Sequence, residues 1–490
     1  MKGRPSGCRG LPIVHHRGER GELEGKVRKE RNVNEESLKD QYKKAVRFGK
    51  PAFIERPLIG SPAAPAQAET NVSAMWSTIR TAFLFGYEYT RWWKESNALR
   101  NTAMLGDWSW LDRCLVRGPD ASRFMNYATV KDLSRLGVGQ IMHTPMVNLD
   151  GKVAIEGLTF RLSENEYMFS QTAANQWLAH IEDITKMDVE LEDVTPDYTC
   201  YALQGPRSLD ILEEVTGEAF GDLVFSRWRM SRVNGVDVLI DRQGVTGEIG
   251  YEFIMRTDSG KAHELWHTIR ETGKKFGLRE MGWRAQMIGH VETGVATAIK
   301  DYLPARTAGD SLAKFTRMFI TEEELAALDW DLSEQLCSPA ELGWERAIDL
   351  DGHEFHGRAA LVKEAEAGGP ARRLVGLAWD SDDVTELFAA QFRDEPAPPP
   401  PDLPQGQLRA LYLKVLKGGE QVGWATSYTY SPNLRRMISF GRIRKDLIEP
   451  GTEVEVLWGG LSTEPQCRIR ARVARLPFIE QKRTMDLSVR

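Results

Sequence analysis

The sequence predicts an α+β protein of several domains that ends in an all-β module. A chain of 490 residues is too long for a single hydrophobic core, so about two to four domains are expected. Up to about residue 370, segments with strand alternation are interspersed with segments of helical periodicity. From about residue 371, strand patterns separated by glycine turns predominate, which is typical of a small β-domain.

Composition excludes several classes of protein. The hydrophobic share of 41% and the charged share of 27% are those of an ordinary globular chain. A net charge of −6 argues against a nucleic-acid or anionic-membrane partner, and no apolar run approaches the roughly 18 residues of a membrane span. The five cysteines are scattered and contain no CxxC pair, which fits a reducing cytoplasm. Because the histidines also lack metal-binding spacing, we expect no metal site.

The N-terminal residues 1–35 mix charged residues and glycine with little periodic apolar content. They lack the apolar core of a secretory signal, and we predict a disordered tail. Asn34–Arg47 opens with asparagine and acidic residues and continues with helix formers, which predicts a short helix.

Ala74–Lys94 is dense in aromatic residues, among them Tyr87 and Tyr89. One interpretation is a helix-and-loop piece buried against the next domain. The other is an aromatic wall for a flat substrate, because small-molecule pockets are mostly apolar with a few polar groups. Both can hold at once.

The following segments alternate between strand and helix patterns. The predicted strands and helices are Met142–Phe160 (two strands joined by an Asp-Gly turn), Glu166–Ser170 (strand), Thr172–Ile184 (helix), Tyr198–Gly205 (strand), Ser226–Leu239 (two strands), His263–Phe276 (amphipathic helix), and the strands Leu413–Trp424, Arg436–Phe440 and Glu453–Trp458.

Arg242–Arg256 (RQGVTGEIGYEFIMR) carries three glycines spaced three apart and then the start of a strand. Strand alternation places Tyr251 and Phe253 on one face and Glu252 on the other. Such glycines allow a flat ligand to approach the main chain, and a carboxylate can accept two N–H donors from the edge of a pterin or guanine. The alternative is a hairpin turn followed by a strand whose glutamate faces water.

This motif, R-x-G-x-T-G-E-x-G-x-E, resembles the signature of the aminomethyltransferase family, the T-protein of the glycine cleavage system and its relatives. The resemblance extends from about residue 95 to about residue 475. It implies that Glu252 binds the pterin of tetrahydrofolate. It also implies a three-lobed fold around a central folate funnel, with residues 36–370 as two intertwined folate-binding lobes and residues 371–490 as a C-terminal barrel-like domain.

Two C-terminal segments, Gly423–Gly459 and Leu377–Asp383, resemble the tetrahydrofolate-dependent aryl O-demethylases of the vanillate, 3-O-methylgallate and syringate type. The chain resembles these enzymes more closely than it resembles the glycine-cleavage T-protein. This resemblance implies transfer of a methyl group from a methoxylated aromatic compound to N5 of tetrahydrofolate, giving a phenol. An aminomethyltransferase, or a demethylase of a sulfonium or methylamine compound, is the alternative of the same fold. A non-catalytic folate-binding protein is disfavoured by the retained Glu156 and Glu252. Oligomeric state is left open.

Five residues are the predicted contacts to tetrahydrofolate: Glu252, Gln204, Tyr201, Arg284 and Trp458. Gln204 can offer an amide beside the pterin or stabilise the adjacent turn. Tyr201 and Trp458 are either stacking or core residues. Because the family's arginine pair on a later helix is missing here, Arg284 becomes the candidate for the folate tail.

Glu156 aligns with the family's catalytic aspartate, and His143, His290 and Tyr89 are further catalytic candidates that would stabilise a leaving phenoxide. For each donor taken singly, a structural role is the alternative.

The predicted substrate contacts are Trp108, Trp110, Gln171, Gln286 and Tyr87. Gln171 and Gln286 stand where the resemblance implies arginine and tyrosine. We therefore predict a more apolar and less cationic substrate pocket that has lost a carboxylate clamp, in which vanillate is a poorer substrate than a neutral methoxyphenol.

Overall fold

The computed structural model describes residues 59–77, 83–307, 310–404, 409–410, 412–459 and 465–488. The predicted tail 1–35 and the predicted helix Asn34–Arg47 lie outside the described residues.

The strands are numbered in chain order. They are β1 (Ile59–Gly60), β2 (Met75–Ser77), β3 (Phe83–Glu88), β4 (Ala103–Asp107), β5 (Arg113–Arg117), β6 (Ile141–Val147), β7 (Val153–Ser163), β8 (Glu166–Ser170), β9 (Glu190–Asp193), β10 (Tyr198–Gln204), β11 (Trp228–Val233), β12 (Val236–Asp241), β13 (Gly250–Arg256), β14 (Leu278–Glu280), β15 (Arg372–Trp379), β16 (Leu413–Lys417), β17 (Glu420–Ser431), β18 (Arg436–Arg444), β19 (Glu453–Trp458) and β20 (Cys467–Ala474).

The α-helices are referred to by their residues. They are Ala64–Ala68, Trp92–Asn101, Ala121–Ala128, Ala174–Thr185, Ser208–Thr216, Ala262–Gly273, Trp283–Thr293, Asp310–Thr316, Glu322–Ala326, Arg358–Glu366 and Ser381–Ala390.

A six-stranded sheet in the order β11-β12-β13-β10-β4-β14 forms the first lobe. On one face, Tyr251 and Phe253 pack with Trp266 of the Ala262–Gly273 helix in a buried core. On the opposite face, Ile254 belongs to a second core cluster, and the neighbouring Glu252 lines a cavity. The alternation predicted for this strand is confirmed, and it aims the glutamate away from the helix-covered face.

A five-stranded antiparallel sheet in the order β6-β7-β8-β5-β9 forms the second lobe. Phe124 of the Ala121–Ala128 helix and Trp177 of the Ala174–Thr185 helix pack with Tyr167 and Phe169 of β8. The two predicted strands of Met142–Phe160 are β6 and β7, joined by a turn at 148–151, as expected. This lobe contributes Glu156 to the cavity.

The third lobe is a closed six-stranded barrel in the order β15-β18-β17-β16-β19-β20. It packs directly onto the other lobes, because Thr426 Oγ1 donates to Asp301 Oδ1 at 2.6 Å and Ser431 Oγ donates to Glu292 Oε1 at 2.6 Å. The mixed fold with a C-terminal all-β module is therefore confirmed, and the module is not detached.

The aromatic-dense segment differs from its prediction. A helix-and-loop piece was expected over Ala74–Lys94, but β2 and β3 form a small sheet with β1, and a helix begins only at Trp92. The alternation Phe83-Leu84-Phe85 buries the two phenylalanines and leaves Leu84 half-buried, which is a strand pattern. Aromatic residues are common in strands, so aromatic density does not indicate a helix.

Candidate active site

One cavity of about 1380 Å³ is lined by residues of all three lobes. The six-stranded sheet contributes Glu252, the five-stranded sheet contributes Glu156 and the barrel contributes Val375. The Trp283–Thr293 helix adds Gln286 and His290. The sequence motifs from distant parts of the chain therefore meet in a single chamber large enough for a cofactor and a substrate.

Glu252 forms the polar centre of one end of the cavity. It is only 6% exposed, and the Sγ of Cys200 donates to its Oε2 at 3.5 Å. Burial raises the pKa of Glu252 to about 7, while the guanidinium of Arg113 and the hydrogen bond from Cys200 act in the opposite direction. This end therefore presents a largely desolvated carboxyl group to a ligand.

The glycine-rich loop before β13 is tightly folded. Gly247 has φ of +82°, and a Cβ on Gly250 would lie 2.4 Å from the carbonyl oxygen of Gln243, so larger residues would distort the loop. The hydroxyl of Thr246 donates to Gln204 Oε1 at 2.5 Å, and Gln204 is fully buried. Gln204 therefore stabilises the loop and is not among the residues that line the cavity.

Three tryptophans, Trp108, Trp110 and Trp283, line the same end of the cavity. The rings of Trp110 and Trp283 meet edge to face with centroids 5.7 Å apart. Phe85 packs behind both, at 5.4 Å from Trp110 and 5.8 Å from Trp283. The predicted wall at Trp108 and Trp110 faces the cavity, whereas the described part of the aromatic-dense segment supports it from behind.

The other polar group of the cavity is centred on Glu156. Its Oε2 lies 2.7 Å from Nε2 of His143, and its Oε1 accepts a hydrogen bond from Nε2 of Gln171 at 3.1 Å. The side chain of His143 is 38% exposed and that of Glu156 is 15% exposed. The structure thus brings three predicted site residues into one hydrogen-bonded group that faces the cavity.

Tyr302 and Arg306 also line the cavity, and the sequence analysis missed both. Arg306 donates from Nη1 to the carbonyl of Ala154, two residues before Glu156 in β7, at 3.2 Å. Its guanidinium also lies 5.6 Å from the ring of Phe315. Arg306 therefore places a positive charge among the lining residues near Glu156, in a pocket that the sequence predicts to be less cationic. Arg306 belongs to no recognisable motif, so only the fold reveals its position.

His290 lines the cavity as a neutral ring. Its Nδ1 lies 3.2 Å from the hydroxyl of Thr297, and its Nε2 has no hydrogen-bond partner among the described residues. Burial, with a smaller effect of Lys300, lowers the pKa of His290 to about 4. At neutral pH His290 can offer or accept a hydrogen bond, but it carries no acidic imidazolium proton.

Besides Gln204, five predicted site residues do not line the cavity. Tyr89 and Tyr201 are buried in the core beside Trp266, and Trp458 lies in the barrel core, where its Nε1 donates to the carbonyl of Pro399. Arg284 pairs with Glu88 at 3.0 Å, and Tyr87 lies beside its guanidinium. Each side chain is held by contacts away from the chamber, and the alternative interpretation as a structural residue fits Tyr201 and Trp458.

Positive charge is supplied by other residues than Arg284. Six cations are among the described residues lining the cavity: Lys131, Arg227, Arg306, Arg373, Arg475 and Arg483.

Within the described ranges, no three His, Cys, Asp or Glu side chains are grouped so that they could hold a metal ion. In that part of the chain no helix is both long and apolar enough to span a membrane.

Two family profiles match the chain. The GCVT N-terminal domain matches residues 77–316, and the glycine cleavage T-protein C-terminal barrel domain matches residues 405–480.

Among the relatives, sesamin methylene transferase from Sinomonas sp. is 32% identical over 396 residues, covering 76% of this chain and 85% of the relative. An aminomethyltransferase from Halothermothrix orenii is 28% identical over 397 residues, covering 80% and 92%. The crystal structure of the glycine cleavage system aminomethyltransferase T from Bartonella henselae superposes with a TM-score of 0.65 at 20% identity, covering 87% and 99%. The structural likeness establishes a shared fold.

Proposed function

This chain belongs to the glycine cleavage T-protein family, whose enzymes are tetrahydrofolate-dependent transferases, and on that premise we propose that it is a tetrahydrofolate-dependent O-demethylase. The proposed reaction moves a methyl group from a methoxylated aromatic compound to N5 of tetrahydrofolate and releases a phenol. The observation that carries the proposal is the single cavity that contains Glu252, the tryptophan wall and the Glu156–His143 pair.

The end of the cavity at Glu252 fits a pterin. Glu252 is a buried two-oxygen acceptor beside the tightly folded glycine-rich loop, whose Gln243 and Val245 line the cavity. The indole nitrogens of Trp108 and Trp110 are buried without hydrogen-bond partners among the described residues, so the wall has donors available to a polar ligand. Tetrahydrofolate, when bound, supplies N5, which accepts the methyl group and gives up a proton.

The walls exclude water from the reacting atoms. Trp108, Trp110 and Trp283 are each buried, with Phe85 behind them. An aryl methyl ether is unreactive because phenoxide is a poor leaving group. Rigid walls that align the ether for in-line transfer can remove several kcal/mol from the barrier.

The Glu156–His143 pair is suited to the leaving oxygen. Its 2.7 Å contact joins a carboxyl oxygen to an imidazole nitrogen, and a proton held by this pair can pass to a developing phenoxide. Gln171 fixes the second carboxyl oxygen. Arg306 adds a positive charge on the same side of the chamber, where it can stabilise a phenolate or an aryl carboxylate.

The folate tail requires cations, and Arg284 is paired elsewhere. Arg227 and Arg483 are half-buried, Arg475 is exposed, and all three line the cavity. We assign the tail carboxylates to this group, because guanidinium groups bind carboxylates through paired hydrogen bonds.

A second candidate substrate is a methylenedioxy aromatic compound. The observation favouring it is the 32% identity to a protein named for transferring a methylene group from sesamin. A methylene group between two aryl oxygens and a methyl group on one aryl oxygen require the same first event, cleavage of a carbon–oxygen bond with charge developing on an aryl oxygen. Glu156, His143 and Arg306 would stabilise the charge on the aryl oxygen in either substrate.

The test is anaerobic incubation of the full chain with tetrahydrofolate and single donors. The panel contains guaiacol, vanillate, syringate, a methylenedioxybenzene, methylamines and dimethylsulfoniopropionate. Chromatography should detect 5-methyltetrahydrofolate and an equal amount of phenol from a methoxyaromatic compound. Formation of 5,10-methylenetetrahydrofolate from the methylenedioxy compound alone would select the second candidate. Turnover of only a methylamine or the sulfonium compound would overturn both.

Two variants test whether turnover depends on the cavity. Glu252→Gln should lose turnover through weaker tetrahydrofolate binding. Glu166→Gln is the matched control, because Glu166 is a partly exposed glutamate that pairs with Arg117 at 2.9 Å and is not among the residues lining the cavity. Its activity should equal that of the unmodified chain.

A further inference from the structure

A second carboxyl group lies beside Glu252. Asp241 in β12 and Glu252 in β13 are directly paired across the antiparallel strands. Opposite residues of such a pair have Cβ atoms about 5 Å apart on the same face. Asp241 is fully buried, and neither of its carboxyl oxygens has a hydrogen-bond partner among the described residues.

Among the described residues, two other titratable groups act on this carboxyl pair, Cys200 and Arg113. Cys200 is fully buried, and its thiol donates to Glu252. Arg113 is also buried, but its Nη1 and Nη2 donate to the carbonyls of Leu111 and Trp108. One cation therefore faces two buried carboxyl groups, and its two terminal nitrogens are already engaged.

Two adjacent carboxylates in a buried site cannot both ionise against a single cation. Glu252 lines the cavity, whereas Asp241 is not among the lining residues. Burial and the neighbouring Glu252 raise the pKa of Asp241 well above its ordinary range. Because Glu252 borders the cavity, a polar ligand can stabilise its charge, so it is the carboxyl of the pair that ionises more readily.

We propose that Asp241 is a positioning residue for tetrahydrofolate: it stays protonated, and its hydroxyl, which has no partner among the described residues, turns to donate a hydrogen bond to Glu252 when that carboxyl ionises and accepts the N–H donors of the pterin edge. The inference rests on the proposed folate function. It assigns to Asp241 the role of a neutral donor, which an asparagine can reproduce and an alanine cannot.

The first measurement is tetrahydrofolate affinity from pH 6 to 8, by calorimetry under anaerobic conditions. With the pKa of Glu252 at about 7, apparent affinity in the unmodified chain should rise about tenfold over this range. Asp241→Asn should keep both the affinity and the pH midpoint. Asp241→Ala should weaken binding about tenfold at pH 7 and move the midpoint to higher pH, because ionised Glu252 loses a donor.

The second measurement does not depend on a ligand. Infrared difference spectra at pH 8 should show a protonated-carboxyl band in the unmodified chain that is missing in Asp241→Asn. A second band should titrate near pH 7 and be missing in Glu252→Gln.

The outcomes separate the two hypotheses. If the unmodified chain does not bind tetrahydrofolate, the proposed function fails. If it binds, but Asp241→Asn moves the midpoint to lower pH or the pH 8 band persists in that variant, Asp241 is not the neutral donor. An unchanged midpoint in Asp241→Ala overturns the inference equally. If Asp241→Ala does not fold, the infrared comparison of the unmodified chain with Asp241→Asn still tests whether Asp241 is protonated.

Discussion

Replacing Glu156 by glutamine tests the chemistry at the leaving oxygen. The substitution keeps the size of the side chain and one acceptor oxygen, so Gln171 can still donate to it. It removes the negative charge that lies 2.7 Å from His143 and replaces the facing oxygen by an N–H donor. His143 then faces an amide in place of a carboxylate, and the pair has lost the acid–base group of Glu156. Loss of general acid catalysis typically lowers kcat by about 10²–10⁴, which corresponds to about 2.7–5.4 kcal/mol.

Stability should change little in this variant. The side chains of His143 and Glu156 are 38% and 15% exposed, so solvent screens the pair and its loss should cost at most about 1 kcal/mol of folding free energy. The assay is kcat and KM with the donor identified in the panel, alongside Glu166→Gln. A kcat within about threefold of the unmodified chain would refute the assigned role. A raised KM for tetrahydrofolate with unchanged kcat would instead move Glu156 to the cofactor site.

Three further predictions concern the cofactor, the substrate and metals. Glu252→Gln should weaken tetrahydrofolate binding by about 2–4 kcal/mol in calorimetry, because a charge-assisted acceptor is lost; unchanged affinity would remove Glu252 from the site. Arg306→Met should lower kcat/KM for vanillate at least tenfold more than for guaiacol, because a carboxylate then enters the cavity without its partner; equal losses would contradict this role. Chelators should leave activity unchanged, since the described residues offer no metal-ligand cluster, and inhibition reversed by an added metal would contradict it.

Local sequence patterns predicted those parts of the site that a single strand determines. The alternation after the glycine motif placed Glu252 on the face opposite Tyr251 and Phe253, and the structure has this arrangement. The two strands at Met142–Phe160 brought His143 and Glu156 to paired strands, where they form a hydrogen bond. Period-two alternation fixes such faces without knowledge of the tertiary structure.

Residue type alone leaves two roles open. Tyr201 and Trp458 are predicted to be either stacking or core residues, since aromatic side chains fill both kinds of site, and each lies in a core. Tyr302 and Arg306 line the cavity but come from a segment that carried no cofactor or substrate motif, and Trp283 lines it beside the predicted contact Gln286 without a pattern that distinguishes it. Their positions depend on how three lobes pack, which no local periodicity specifies.

The barrel and the C-terminal segment help to hold the glycine-rich loop beside Glu252. Arg100 pairs with Glu292 at 2.7 Å and with Glu248 of the glycine-rich loop at 3.4 Å. Ser431 of the barrel donates to Glu292, and the backbone N–H of Lys482 donates to the carbonyl of Gly247 in the loop at 2.7 Å. Removing one member of such a buried network exposes the remaining charges to a desolvation cost. The loop beside Glu252 is therefore held by Arg100 and Lys482, which lie 148 and 234 positions from Glu248 in sequence. Its shape depends on the lobes and the barrel together.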